Sequence, residues 1–255
     1  MPIPIGYHEN IITPDASRKI EAMWSFVAQK SGSTVILPDG RCDLIIKFNT
    51  KKSKTLMPII TGPATQPYQI EFEKYDTWIG VRLRPGNGQL LWQKDICRAK
   101  DQLVRGLDVI KHLPKLNNIF NFGLDITNIQ IEFKKFLAAE MDIKLSTKLI
   151  KALEFIHQTG GRGRIEAIAN SIQCSSRQLS RIFINNVGLT TKDYACLVQF
   201  HRALKLVNNE GLPLADAAFE AGYADQAHMN RSFKRFGGFT PNSIPEDLSI
   251  PGLFN

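Results

Sequence analysis

The chain contains two regions that differ in the spacing of their apolar and polar residues. Residues 34–84 carry short apolar runs separated by Pro, Gly and polar turns, namely TVILPDG, CDLIIKF, LMPIITGP, YQIEFE and TWIGVRLRPG. The run YQIEFE alternates strictly between apolar and polar side chains, which is the pattern of a strand with one buried face. The spacing of the turn residues therefore predicts an antiparallel sheet or a small barrel.

From about residue 88 the periodicity becomes helical. Short helices are predicted at residues 89–92 and 101–110, and a longer one at 128–141. The apolar stripe of this longer helix consists of Ile129, Phe133, Phe136 and Leu137. Gly, Pro and Ser/Asn signals then predict six more helices, which begin near Ser146, Arg164, Ser176, Thr191, Pro213 and Asp225.

These patterns predict a two-domain protein. A mainly-β domain with additional helices covers residues 1–125, and an all-α domain covers residues 145–245. A helical connector at residues 126–144 joins them, and a tail follows at residues 246–255. The helix of the connector has two equal interpretations, either a simple linker or a dimer seam built on its apolar stripe.

The charge is unevenly distributed along the 255 residues. The net charge is +8, and residues 144–245 contribute +6 of it, so the excess lies in the all-α domain. Hydrophobic residues make up 43%, which excludes disorder, a collagen-like repeat and a membrane channel. A basic domain in an ordinary globular chain favours a polyanionic partner such as nucleic acid.

The cysteines and the N-terminal sequence indicate the compartment. The four cysteines are scattered without a CxxC pair, which favours a reducing environment and free thiols. The N-terminus lacks the basic start and apolar run of a secretory signal, and no apolar stretch approaches the length of a membrane span. We therefore expect a cytoplasmic protein with no membrane partner.

The all-α domain contains the same pattern twice, in residues 165–190 and 214–240. In the first part of each copy, Ile165, Ile168, Ala169 and Ile172 match Leu214, Ala217, Ala218 and Ala221 at an offset of 49. In the second part, Leu179, Arg181, Phe183, Gly188 and Thr190 match Met229, Arg231, Phe233, Gly238 and Thr240 at an offset of 50. One extra residue in the turn of the second copy explains the change of offset.

Each copy has the pattern of a helix-turn-helix unit. Ser175 or Ser176, and Asp225 in the second copy, can cap the second helix of the unit. Polar side chains are predicted to project from these second helices: Arg177, Gln178, Ser180 and Arg181 in the first, and Gln226, His228, Asn230 and Arg231 in the second. Arg can pair with guanine, and Gln or Asn with adenine, in the major groove of DNA. A single copy is more often an ordinary helical hairpin, but two copies on a basic domain favour double-stranded DNA as the partner.

The segment between the copies is predicted to be one long helix over residues 191–208. Its apolar residues Tyr194, Leu197, Val198, His201, Leu204 and Leu206 would contact both copies. Two reading helices held on one face of DNA need consecutive major grooves, about 34 Å apart. One chain would then cover about 20 base pairs.

At this point the residues resemble a known family. The run DYACLVQFHRALKLVNNEGLPLADAAFEAGYADQAHMNRSFKRFGGFTP is similar to the signature of the AraC/XylS family of bacterial transcription regulators, and the resemblance covers residues 145–245. It implies that Arg177, Ser180, Arg181, Gln226, His228, Asn230 and Arg231 face bases. It also implies DNA-backbone contacts from residues near helix starts, for which Ser175, Ser176 and Thr190 are the candidates.

The resemblance also carries expectations for the rest of the protein. Activation through RNA polymerase is implied by the family alone. LPDGRCDLIIKF, ITGP and GVRLRPG look like the sheet region of some of these regulators, in which the N-terminal domain senses a small molecule, forms a homodimer, or does both. A constitutive regulator whose N-terminal domain only dimerises is the first alternative. A DNA-repair enzyme with a helical DNA-binding tail is the second.

Few residues favour catalysis or a cofactor. Asp39, Asp43 and Glu71 are interpreted as solvated acids of turns and strand edges, because no base or nucleophile accompanies them. The five histidines form no HxH or HxxxH pair, so we expect no metal, no cofactor and no enzymatic activity. Trp24, Trp78, Trp92 and Tyr68 could line a ligand pocket, although a role in the core of the sheet is favoured.

Overall fold

The computed structural model describes residues 6–121, 125–140 and 143–245. Its N-terminal part contains eight strands, all paired antiparallel. They are β1 (Tyr7–Ile11), β2 (Ile20–Val27), β3 (Gly32–Ile36), β4 (Asp43–Asn49), β5 (Ser53–Thr61), β6 (Tyr68–Phe72), β7 (Asp76–Leu83) and β8 (Leu103–Arg105). The five predicted apolar runs fall on β3 to β7, which confirms the antiparallel β prediction, whereas β1 and β2 were not predicted.

The strands form a six-stranded sheet and a two-stranded ribbon. The sheet has the order β1-β2-β7-β4-β5-β8, and the ribbon pairs β3 with β6. Because side chains alternate along a strand, β7 presents Ile79 and Val81 to one face and Gly80 and Arg82 to the other. Ile79 and Val81 belong to an apolar core that includes Phe133. The opposite face looks toward the ribbon, and Phe26 of β2 meets Phe72 of β6 edge to face at 5.1 Å.

Helices cover the first face of the sheet. They are α1 (Gln89–Trp92), the 3-10 helix Gln93–Arg98, α2 (Leu107–His112), the 3-10 helix Pro114–Asn121 and α3 (Ile126–Ala139). The helix predicted at 101–110 is wrong in its first half. Residues 103–105 form the edge strand β8, which pairs with β5 so that Ile59 lies opposite Arg105, and Gly106 at φ +62° ends β8 before α2 begins.

The stripe predicted on α3 is confirmed, since Ile129, Phe133, Phe136 and Leu137 are all buried. It packs in the core beneath the sheet of its own chain. The alternative of a dimer seam built on this stripe is therefore wrong, because the apolar face is already covered. Residue 141, at the predicted end of this helix, and the predicted tail at 246–255 lie outside the described residues.

The C-terminal part is helical. Its helices are α4 (Thr147–Gln158), α5 (Ile165–Ser171), α6 (Ser176–Val187), α7 (Thr191–Asn208), α8 (Leu214–Glu220) and α9 (Gln226–Gly237). All six begin within one residue of their predicted starts. The six apolar residues predicted for the long helix are all buried in α7, and Phe200 of α7 packs edge to face on Phe233 of α9 at 5.2 Å. The chain thus has the predicted two-domain layout.

Candidate functional site

The predicted first reading helix, α6, is fixed at its start by a capping box. The Ser175 hydroxyl accepts from the amide of Gln178 at 3.2 Å, and the Ser175 amide donates to Gln178 Oε1 at 3.1 Å. Leu179 and Phe183 are fully buried and anchor the inner face of the helix. Gln178 is exposed, as the prediction that it projects requires, and its side-chain oxygen is at the same time held in the cap.

The outer face of α6 carries an exposed polar stripe. Arg177, Arg181 and Asn185 are exposed and spaced four residues apart, so they lie above one another on the helix. Ser176 and Ser180 lie half-buried at its flank. We call Arg177, Arg181 and Asn185 the first reading stripe.

The predicted second reading helix, α9, is also capped at its start and anchored by two buried residues. Asp225 caps it by accepting from the amide of His228 at 2.6 Å, and Met229 and Phe233 are fully buried. Gln226, His228 and Arg231 are exposed. The prediction that Asn230 projects is wrong, because it is half-buried at the flank of the helix and its Oδ1 is enclosed without a hydrogen-bond partner among the described residues.

Arg235 is a candidate that sequence reasoning missed. It is exposed one turn beyond Arg231, and the 50-residue offset makes it the equivalent of Asn185, which is the signal that would have found it. We call Ala227, Arg231 and Arg235 the second reading stripe. Arg235 binds Asp193 of α7 at 2.5 Å. Burial would raise the pKa of Asp193, but hydrogen bonds from Arg235 and Thr190 outweigh it and hold this pKa below its ordinary value.

Thr190 lies at the junction between the first unit and α7. Its hydroxyl accepts from the amide of Asp193 at 3.0 Å and so caps α7. Ser175 and Asp225 likewise cap α6 and α9. Ser175 and Thr190, which are predicted to contact the DNA backbone, are therefore helix caps, as Asp225 is. Each of the three marks a helix N-terminus, where backbone amides attract anions.

Helix α7 fixes the second unit relative to the first. Gln199, which is 9% exposed, donates from Nε2 to the carbonyl oxygens of Ala221 at 3.1 Å and Gly222 at 3.0 Å, in the turn of the second unit. On the side of the first unit, Gly161 approaches α7 so closely that a Cβ there would lie 2.2 Å from the carbonyl oxygen of Ala195. The two reading helices are therefore held in one rigid body.

Gln199→Leu is expected to lower the free energy of unfolding by about 1–3 kcal/mol, because two carbonyl groups lose their donor in a largely buried position. It should also weaken DNA binding, because the second reading helix loses its fixed orientation. Thermal unfolding and DNA titration of the full-length variant would measure both effects. Gln158→Leu, at an exposed position of α4, is the matched control, and equal behaviour of the two variants would contradict this role of Gln199.

A second candidate site is a cavity between the sheet and the ribbon. Trp24, Trp78 and Tyr68 line its inner part of about 90 Å³, and an outer cleft of about 330 Å³ adjoins it and shares Tyr68 and Arg82 in its lining. The favoured interpretation of these three aromatics as simple core residues is therefore wrong. Trp92 does not reach the cavity, because it packs on the opposite face of the sheet with Nε1 donating to Thr61 O at 2.9 Å.

Arg82 and Asp43 line both the inner cavity and the outer cleft, and they belong to a buried ion cluster. Arg82, only 1% exposed, lies 2.7 Å from Glu9 Oε1, 3.3 Å from Asp39 Oδ2 and 3.7 Å from Asp43 Oδ1. Asp43 also accepts from Trp24 Nε1 at 3.0 Å, and burial raises the pKa of this carboxyl group. The interpretation of Asp39 and Asp43 as solvated acids is thus wrong, whereas Glu71 is exposed as expected.

Residues 37–43 connect this cavity to the C-terminal helices. Leu37 packs in the core of the all-α domain, and Pro38 O bonds with His201 Nε2 of α7 at 2.7 Å. The same segment places Asp39 and Asp43 in the cavity wall. Residues 37–43 therefore link the cavity wall to α7 through this hydrogen bond.

Comparisons with known proteins agree with this layout. Residues 168–245 match a family model described as "Helix-turn-helix domain", and residues 13–105 match one described as "Domain of unknown function (DUF6597)". Throughout the described parts of the chain, none of the helices is long and apolar enough to cross a membrane.

Three individual proteins illustrate the similarity. The Msm operon regulatory protein of Streptococcus mutans is 27% identical over 96 residues, which are 37% of this chain and 34% of that protein. The HTH-type transcriptional activator RhaS of Escherichia fergusonii is 24% identical over 144 residues, 56% of this chain and 52% of that protein. The C-terminal domain of AraT from Geobacillus stearothermophilus is 22% identical, with a TM-score of 0.39, over 44% of this chain and 95% of that chain. The chain thus spans about half or less of the length of these two curated relatives.

Residues 168–245 in the C-terminal part of the chain are therefore a helix-turn-helix domain. It is of the AraC type, which confirms the resemblance to the AraC/XylS family of bacterial regulators.

Proposed function

We propose that this protein is a sequence-specific DNA-binding transcription regulator that reads two adjacent major grooves. The observation that carries the proposal is the matched pair of reading stripes on one rigid body, with Arg181 and Arg231 exposed at equivalent positions. Arg can bind guanine O6 and N7 with two hydrogen bonds. Phosphate contacts from the helix starts would set the register, and the exposed side chains of the stripes would read bases.

A hydroxyl-radical footprint of the full-length protein on its binding site tests this geometry. We expect two protected patches on one face of the duplex, about 10 base pairs apart, because the two helices enter consecutive major grooves. A single protected patch would contradict the proposal, because only one helix would then enter the DNA.

We propose further that the cavity binds a small-molecule effector. The inner part is lined by aromatic and aliphatic side chains, and the outer cleft carries Arg41, Arg82, Arg105, Asp39 and Asp43. This favours a ligand with an apolar or aromatic body and a hydrogen-bonding end. Residues 37–43 would pass the effect of binding to α7, because they line the cleft and contact His201.

Gly80→Ala is expected to close this cavity. A Cβ at position 80 would lie 2.1 Å from the indole of Trp24, so the indole must move toward the ribbon and lose its bond with Asp43. We expect a loss of about 1–3 kcal/mol in unfolding free energy and the loss of any thermal stabilisation by small molecules. Thermal unfolding of the parent protein and of the Gly80→Ala variant is measured with a panel of sugars, aromatic carboxylates and their neutral amides. Equal stabilisation of both proteins by one compound would place its site elsewhere.

Whether the protein activates or represses transcription is proposed from its relatives. RhaS is described as a transcriptional activator, and we propose activation through RNA polymerase, in the bacterial cytoplasm where the DNA lies. Transcription in vitro from a promoter beside the binding site tests this, and a fall in transcript would indicate repression.

We also propose a homodimer as the bound form, which sedimentation of the protein–DNA complex would show as two chains on one site.

A further inference from the structure

We propose that the β-rich domain takes part in DNA binding itself, through a basic segment at residues 93–100 that contacts phosphates beside the first reading helix. This inference rests on the proposed DNA-binding function. It adds a surface outside the helix-turn-helix units. We call residues 93–100 the basic segment.

The basic segment is held against the C-terminal end of α6. Gly188, which ends α6, packs on it so closely that a Cβ there would lie 2.7 Å from Ile96 O. Just before the segment, Gln89 Nε2 donates to the carbonyl oxygen of Asn185 at 2.7 Å. Asn185 is the last residue of the first reading stripe. The segment therefore continues the surface that DNA would meet along α6.

The side chains of the segment carry the charge that phosphates require. Lys94, Arg98 and Lys100 are exposed, and Asp95 is the one acid among residues 93–100. Lys94 lines the same groove as Asn185. At the other end, Lys100 Nζ lies 3.8 Å from Asp193, the residue that also binds Arg235. The cations thus extend from the first reading stripe toward the second.

The position of these cations favours phosphates over bases as their targets. A recognition helix enters the major groove mainly with its N-terminal turns, so the C-terminal end of α6 leaves the groove beside the sugar–phosphate backbone. Flexible Lys side chains at that edge act as point charges toward phosphate. They therefore raise affinity without changing the preferred sequence.

The salt dependence of DNA binding tests this proposal. Full-length parent protein and the variant Lys94→Ala/Arg98→Ala are titrated onto the same selected duplex at several salt concentrations. Each lost phosphate contact reduces the slope of log K against log[salt] by about 0.9, so we expect a slope shallower by about 2 and weaker binding on the order of tenfold at 0.1 M salt. The preferred DNA sequence should stay the same.

Lys30→Ala/Lys51→Ala is the matched control. Both lysines are exposed on turns at the opposite end of the sheet, where Ala28 pairs with Asp76 and Thr50 with Tyr75. The control should keep the parental slope. If the Lys94/Arg98 variant unfolds at the parental temperature and also keeps the parental slope, the basic segment does not touch DNA and the inference is overturned, although the proposed function stands. If the parent itself does not bind DNA, both are overturned.

Discussion

Arg231→Ala is expected to weaken binding to the preferred DNA site by about 1–3 kcal/mol and to relax the sequence preference at one base pair. Arg181→Ala should have the same two effects in the other half of the site. Both residues lie at the centre of their stripes on the exposed faces of α9 and α6. Neither side chain forms an ion pair among the described residues, so the fork of each guanidinium is available for guanine O6 and N7.

Titration against the preferred site and its single-base variants measures this effect. The position that loses its preference should differ between Arg181→Ala and Arg231→Ala, and the two should lie about one helical turn apart. Lys51→Ala, at the far end of the sheet, is the control and should leave both affinity and preference unchanged. If Arg231→Ala keeps the parental affinity and sequence preference, α9 is not a reading helix.

Arg82→Ala is expected to lower the free energy of unfolding of the β-rich domain by about 3–5 kcal/mol. The guanidinium is the common partner of Glu9, Asp39 and Asp43, and its side chain is only 2% exposed. Removing it leaves three carboxyl groups close together in a largely buried place. Urea unfolding followed by tryptophan fluorescence would measure the change, because Trp24 contacts this cluster through Asp43.

The pH dependence of this variant provides the control. Without Arg82, the three carboxyl groups are stabilised by protonation, so lower pH should recover part of the lost stability relative to the parent. Arg18→Ala, at an exposed arginine of the same domain, should have little effect. If Arg82→Ala lowers the free energy of unfolding by less than about 1 kcal/mol, the ion cluster is exposed to solvent and is not part of a buried cavity wall.

The helices could be predicted because their start signals are local. Ser146, Ser175, Thr190 and Asp225 each cap the helix that follows them, and such a signal depends on only three or four neighbouring residues. The strand β8 could not be predicted, because residues 103–105 become a strand only by pairing with β5. Strand β2 was missed for a related reason: it is buried on both faces, so its residues do not alternate.

The reading helices followed from the repeat, whereas the details of the site required coordinates. The buried pairs Leu179 with Phe183 and Met229 with Phe233 fix which face projects, and this face was predicted correctly. The position of Asn230 at the flank was not, because the residues covered at the edge of a buried helix face depend on how the neighbouring helices pack against it. The cavity depends on the ribbon β3–β6 closing over the sheet, which brings together residues far apart in the chain.

The most direct test of the central claim is selection of binding sites from random double-stranded DNA by the purified full-length protein. The account predicts two enriched short motifs whose centres lie about 10 base pairs apart, one for each reading helix. A single motif, or no enrichment at any salt concentration where the protein still binds DNA, would contradict the claim that both helices read bases.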